Sequence, residues 1–326
     1  MTGNTLGWVI VAFVLYLLMM IAIGAFYAKG NNNSEDYFLG GRKLNGFVAA
    51  LSAQASDMSG WLLMGLPGAI YLTGVGGDGW IAIGLFIGTT LNWLFIATKL
   101  RRYTIRANNS VTLPTYFENR FHDEKKVLMT VSSITIVVFF LVYCASALSA
   151  GGQLFESVFG IDYHVALTIG ALVVLVYTFL GGFTAVCVTD FIQGMLMLVG
   201  ILAVPLFAYH FLTTGGTTLS VGLEASGADS ANFLNLMKNG DGSNNIISVI
   251  SGLGWGLGYF GMPHILVRFM AVRDEKEMTK SKATAISWVA LSLGFAVFIG
   301  ILGRAYLPEL VNGLSLIHIS EPTRRS

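Results

Sequence analysis

Asp57 has the most chemistry to offer. It lies in Ala50-Leu-Ser-Ala-Gln-Ala-Ser-Asp57-Met-Ser-Gly60-Trp-Leu-Leu-Met-Gly-Leu-Pro67-Gly68, inside an apolar segment that runs from Lys43 to Asp78. An ionised Asp at the centre of a membrane helix costs about 2.5–3.5 kcal/mol, so such residues face a cavity or a partner. Ser56, Ser59 and freed carbonyls near Ala55 and Met58 supply hard oxygens around it, a ligand type that suits an alkali cation. Gly60 permits local unwinding. Two other readings stay open: an Asp that stabilises a kink by bonding nearby backbone, and a lone buried carboxyl that titrates and carries a proton.

A second group of residues sits in Ser251-Gly-Leu-Gly-Trp255-Gly-Leu-Gly-Tyr259-Phe-Gly-Met-Pro263-His264. Each glycine from Gly252 to Gly258 costs about 1 kcal/mol against Ala in a helix, and Gly261 and Pro263 add to this, so a continuous helix is not expected. Trp255 and Tyr259, four apart, share a face if one turn survives, and either line a cavity or pack. His264 reads as a core or interfacial histidine. Tyr143, in Tyr143-Cys-Ala-Ser146, faces a cavity or packs with equal weight. Asp190, after Gly181-Gly182, reads as an acid at a helix start, favoured by the dipole. Arg42, after Gly40-Gly41, reads as a basic anchor at a membrane edge, with steering or gating as the other option. No nucleophile–base pair, phosphate loop or metal-ligand spacing is found, so no enzyme is expected.

These residues need spanning helices to hold them. The 326 residues are 54% hydrophobic and 11% charged, where soluble domains run near a quarter charged. A net charge of +1 argues against a nucleic-acid partner. Cys144 and Cys187 lie in or beside apolar segments and read as buried thiols. Eight apolar stretches approach the length of about 20 residues that spans a bilayer: 6–27, 44–74, 79–99, 127–156, 163–182, 188–213, 244–269 and 283–306. The first lacks a basic flank and reads as a retained span. Lys29, Arg42 and Lys43 follow the first stretch, a basic run from Lys99 to Lys126 follows the third, and Arg268 to Lys282 follow the seventh. The opposite loops hold only Lys238 and Arg304. Positive-inside asymmetry then puts the N-terminus outside. Residues 101–123 read as an inner loop with a short interfacial helix, and 213–245 as an outer loop. One transmembrane domain is expected over residues 1–313, with 314–326 a non-native tail.

Two of these spans are interrupted: the second, at Asp57, and the seventh, at Gly252–Pro263. Five positions separate them. An odd offset gives the two breaks opposite orientations, as an inverted five-helix repeat requires, and paired interrupted helices point to a transporter's binding site.

The Ala50–Gly68 run closely resembles the sodium/solute symporter family, and within it the proline carriers. Gly40-Gly41-Arg42, Tyr143-Cys-Ala-Ser and Gly254-Trp-Gly-Leu-Gly-Tyr-Phe-Gly-Met-Pro-His-Ile-Leu carry the same resemblance, which extends from about residue 6 to 308. It implies an all-α polytopic membrane protein with a leucine-transporter-like inverted-repeat fold, its second repeat incomplete. It implies sodium-coupled import of L-proline across the bacterial cytoplasmic membrane, with Na+ as coupling ion, no other cofactor, and lipid as surroundings. Sodium would be bound by Ala55, Asp57, Met58 and Ser59, and substrate by Gly60, Trp61, Tyr143, Trp255, Tyr259 and Pro263. Arg42 and Asp190 would serve gating or coupling. The family's remaining spans complete the sodium site, so the 326 residues alone are expected to be inactive. A transporter-like sensor domain, or a symporter for another small amino acid or carboxylate, are the alternatives.

Overall fold

The computed structural model describes residues 3–307, and the expected tail at 314–326 lies outside them. Fourteen α-helices follow in order: α1 (Gly3–Ala28), α2 (Ser34–Leu39), α3 (Gly46–Gly60), α4 (Leu66–Thr73), α5 (Val75–Leu91), α6 (Thr98–Arg106), α7 (Leu113–Phe121), α8 (Val127–Phe159), α9 (Tyr163–Thr214), α10 (Leu219–Ala225), α11 (Ser230–Phe233), α12 (Ile246–Trp255), α13 (Pro263–Ala271) and α14 (Glu275–Tyr306). Wide π-type turns join α3 to α4 and α5 to α6, and a tight 3-10 turn over Gly256–Gly261 follows α12.

Among the described residues, five helices are long and apolar enough to cross a membrane, or six if the bent pair of Ile246–Gly261 and Pro263–Ala271 is one span. The sequence predicts eight. The difference comes from two breaks. At 52 residues, α9 would extend about 78 Å, more than twice the hydrocarbon core. It turns at Gly182 (φ 60°, ψ −158°), where an added Cβ would sit 2.9 Å from the Tyr37 carbonyl, and this divides it into the two expected stretches. The second expected stretch is broken at Ser59 into pieces, each too short to span alone. All eight expected segments fall on helix.

The chain packs as two compact units, and α3, α9 and α14 each pass from one to the other, at Ser56, Gln193 and Ser281. The first unit holds α1, α2, α3 up to Ser56, α6 to α8, the first part of α9, α13 and the first turns of α14. Its α2 is capped by Asn33, whose side chain accepts the Asp36 N–H at 2.8 Å. The expected helix in 101–123 is α7, opened by Thr112 as cap and a proline in the first turn. α1 crosses α9 with its backbone against Tyr177, at Gly24.

In the second unit, α5 and α12 lie backbone to backbone. A Cβ on Gly84 would sit 2.2 Å from the Gly252 carbonyl, and one on Gly88 would sit 2.2 Å from the Gly256 carbonyl. Glycines four apart, Gly84 and Gly88 on α5 against Gly252 on α12 and Gly256 at the start of the turn after it, permit this approach, as in other membrane helix pairs. By residue type these glycines read as helix breakers. Instead α12 stays helical past Gly252 and Gly254, because close packing on α5 offsets their cost, and only the 3-10 turn and Met262 end it. The outer-loop segment folds α10 and α11 onto α14 through Leu212, Leu223, Phe233, Leu302 and Ala305.

Candidate functional site

In the second unit, Asp57 is half-buried, and the Tyr259 hydroxyl donates to its carboxyl. Tyr259 is 3% exposed, and its carbonyl accepts the Asn92 side-chain amide at 2.8 Å. Trp61 stacks on Trp255, with centroids 6.0 Å apart and planes at 21°. Four of the expected site residues thus meet as two pairs, one polar and one aromatic. Gly254 and Gly258, next in chain to Trp255 and Tyr259, face open space.

The unwinding that permits this is not at Gly60. Gly60 is ordinary helix (φ −63°, ψ −20°), and the break is at Ser59, with φ 41° and ψ −151°. That region is close to glycine-only and costs a side-chain-bearing residue about 1–3 kcal/mol. Residue type does not signal this break, since serine is not a residue one assigns to positive φ. Met58, just before the break, is buried.

In the first unit, α3 presents Ser52 and Ser56, one turn apart, to a buried ion pair. Arg268 of α13 meets Asp190 of α9 at 2.8 Å. Asp190 Oδ2 also accepts Ser52 Oγ at 2.7 Å and Ser56 Oγ at 2.9 Å. Arg268 donates to Ser52 Oγ (2.9 Å), Ser56 Oγ (2.8 Å) and the His264 carbonyl (2.5 Å), and lies over the Phe183 ring. Tyr143 donates to the Ser56 carbonyl at 3.1 Å and stacks on His264, whose edge meets Phe140. Ala55 is buried, and Pro263 opens α13 directly after Met262, whose backbone is extended (φ −79°, ψ 107°).

Two sequence readings change here. Asp190 is not an acid at a helix start: it lies two turns beyond the Gly182 break and is one half of a buried pair. Arg268 is not a loop charge, being 6% exposed within α13. Its signal was an arginine four residues after His264 in an otherwise apolar run, and the run of basic residues that follows it obscured this. Ser52 was likewise overlooked.

Arg42 stands apart from both groups. It is 8% exposed, with positive φ (54°), and follows two glycines of the same hand. Its guanidinium donates to Asn109 Oδ1 (3.0 Å), Thr104 Oγ1 (3.2 Å), the Met270 carbonyl (2.9 Å) and the Ser110 carbonyl (2.8 Å), with Glu35 at 3.4 Å. Burial lowers its pKa and the Glu35 carboxylate partly restores it. A side chain so enclosed is a clamp on the ends of α6 and α13, and not an open anchor.

An all-α membrane chain with two interrupted spans, each with polar and aromatic groups at its break, belongs to the class of secondary transporters. Residues 37–314 match the model of the sodium:solute symporter family, and the chain belongs to that family. It is 45% identical over 297 residues to the protein of Salmonella typhimurium (strain LT2) named Sodium/proline symporter, a match covering 91% of this chain and 57% of that one. The protein of Staphylococcus aureus (strain JH9) bearing the same name is 44% identical over 299 residues, covering 91% and 56%. The chain therefore spans somewhat more than half the length of these relatives. A solved structure of a Na+-coupled sialic acid symporter, substrate-bound and outward-open, superposes with a TM-score of 0.75 at 21% identity, covering 93% of this chain and 63% of that one. That likeness establishes a shared leucine-transporter-like fold.

Proposed function

We propose that the whole protein is a sodium-coupled importer of L-proline in the bacterial cytoplasmic membrane, with its N-terminus outside. The observation that carries this reading is the identity of 44–45%, over 91% of the chain, with two proteins named Sodium/proline symporter. The site chemistry supports it. On the family resemblance, Asp57 and Ser59, with backbone oxygens of Ala55 and Met58, offer hard ligands to Na+ beside the irregular backbone at Ser59. Trp61, Trp255 and Tyr259 offer an aromatic wall to the ring and ammonium of proline, with Gly60 leaving room beside them. Tyr143 and Pro263 carry the same proposed role on the family resemblance alone, as Arg42 and Asp190 do for coupling.

Sodium entering down about 100 mV, inside negative, contributes about 2.3 kcal/mol per charge before any concentration gradient. Coupling requires that bound Na+ favour the conformation that binds proline, and proline must then raise Na+ affinity by the same factor.

The test is uptake of labelled proline by the product of the full-length gene, in cells lacking other proline carriers, with sodium against choline. Uptake that rises with sodium is expected, and uptake that ignores sodium removes the coupling. Competition by other amino acids and small carboxylates separates proline from the alternative solutes. Saturable binding of proline with no uptake in sodium would favour the sensor reading.

A further inference from the structure

Both interrupted spans have one half in the first unit, and those halves end at the same knot. α3 starts there and α13 finishes there. The Leu44 N–H donates to the Ala271 carbonyl at 3.1 Å, and the Arg273 N–H returns to the Leu44 carbonyl at 3.0 Å, a two-bond parallel bridge. The next residues of the turn complete the tie. Glu277, in the first turn of α14, is 4% exposed. Its Oε2 accepts the Gly46 N–H, the first of α3, at 2.7 Å. Its Oε1 is held by Lys280 at 2.8 Å and Arg273 at 3.3 Å. Ser281 Oγ donates to the Gly46 carbonyl at 2.9 Å. There is no slack: a Cβ on Gly46 would sit 2.4 Å from the Glu277 carbonyl.

A carboxylate on the free N–H groups of a helix start is favourable through both the bond and the dipole. Here the carboxylate comes from another helix, so the capping interaction also joins the two. Its own counter-charges, Lys280 and Arg273, fix which oxygen faces Gly46.

We propose that Glu277 is a positioning residue for the cation end of α3. By tying the start of α3 to the turn in which α13 ends, it makes the two half-helices move as one body, so that a displacement at the Asp57 end of α3 is passed to α13. Without the tie, α3 can shift along its axis while Arg268 and Asp190 still hold its flank. The assignment of α3 as the cation helix rests on the function proposed above, whereas the mechanical tie does not.

Two measurements on the full-length protein separate these. The first is hydrogen exchange by mass spectrometry on purified protein in nanodiscs, comparing wild type with Glu277→Ala and Glu277→Gln. Glu277→Ala is expected to speed exchange in both 46–56 and 264–271, with α8 unchanged. Glu277→Gln, whose amide oxygen can still accept from Gly46 while its NH2 faces Lys280 and Arg273, is expected to fall between wild type and Glu277→Ala. Faster exchange confined to 275–281 would overturn the tie. The second is the sodium concentration for half-maximal proline uptake. Glu277→Ala is expected to raise it about tenfold, the factor that 1.4 kcal/mol makes, with Glu277→Gln intermediate. An unchanged half-saturation, with uptake reduced only in step with protein amount, would make Glu277 a folding residue and overturn the positioning role. Wild-type uptake indifferent to sodium would instead remove the function proposed above and leave the exchange result standing.

Discussion

Each unit holds an aspartate at α3, Asp190 buried against its flank and Asp57 half-buried on it, and the two are served differently. Asp190 meets a guanidinium at 2.8 Å and two serine hydroxyls. Asp57, one residue past Ser56, meets a phenol hydroxyl, next to a residue held at strained φ and ψ. The first carboxylate carries its counter-charge with it, in a helix of ordinary geometry. The second is offered a neutral donor, and the backbone two residues on, at Ser59, departs from helical φ and ψ. A buried pair tends toward break-even between desolvation and attraction, and removal of one partner is what costs. The difference separates the two acids: Asp190 with Arg268 fixes where α3 lies, and Asp57 is the acid to which the proposed function gives the cation.

The largest expected effect breaks the first half of this comparison. Asp190→Asn leaves Arg268 buried without its carboxylate, a change that costs about 3–5 kcal/mol. The melting temperature of the purified full-length protein should fall steeply, in sodium and choline alike. Adding Arg268→Gln should recover much of the loss, since two neutral amides replace a stranded charge. If the double variant is no more stable than the single, the pair is not the unit argued for here.

Asp57→Asn should act the other way round. Stability in choline should hold or improve, because an expensive carboxylate has gone. The sodium concentration for half-maximal uptake should rise about 100-fold, the scale of losing a charge-assisted contact of about 3 kcal/mol. Glu156→Gln, an exposed acid near the end of α8, is the control and should change nothing. Equal, small effects of the two would return Asp57 to the role of a kink-stabilising acid.

What the sequence made legible follows from range. The apolar stretches, the short helix at Leu113–Phe121 and the broken place in the second span are local features, and they appear within a few residues of where composition puts them. The spacing of Trp255 and Tyr259 was visible, but not that each would meet a residue of the other broken span, Trp61 and Asp57. What stayed hidden depends on partners far along the chain. Arg268 and Asp190 are 78 residues apart, and their neighbours suggested a loop charge and a helix-start acid. Gly252 and Gly256 looked like breakers until α5 supplied glycines opposite them. Glu277 sits in a charged turn that reads as solvated surface, and only its partner Gly46, 231 residues away, gives it a task. Arg42 is the same lesson: the charge was visible, but the five groups that enclose it were not.

The smallest expected effect sharpens the comparison at the backbone. Ser59 occupies φ 41°, ψ −151°, where glycine is at ease and serine is not. Ser59→Gly relieves that strain, while glycine's freer unfolded chain takes back part of the gain, about 0.5–1 kcal/mol. A net stabilisation of about 1 kcal/mol is expected in choline. Ser56→Gly, three residues earlier, should do the opposite: it loses the hydroxyl on Asp190 and about 0.5 kcal/mol of helix propensity, with no strain to relieve. The revealing quantity is how much sodium raises the melting temperature of each variant. If strain at Ser59 holds the oxygens of α3 ready for a cation, Ser59→Gly starts more stable and gains less from sodium than wild type does. A Ser59→Gly protein that is less stable in choline would mean that the serine hydroxyl more than offsets the strain, and that the readiness of the site lies in that hydroxyl and not in the backbone.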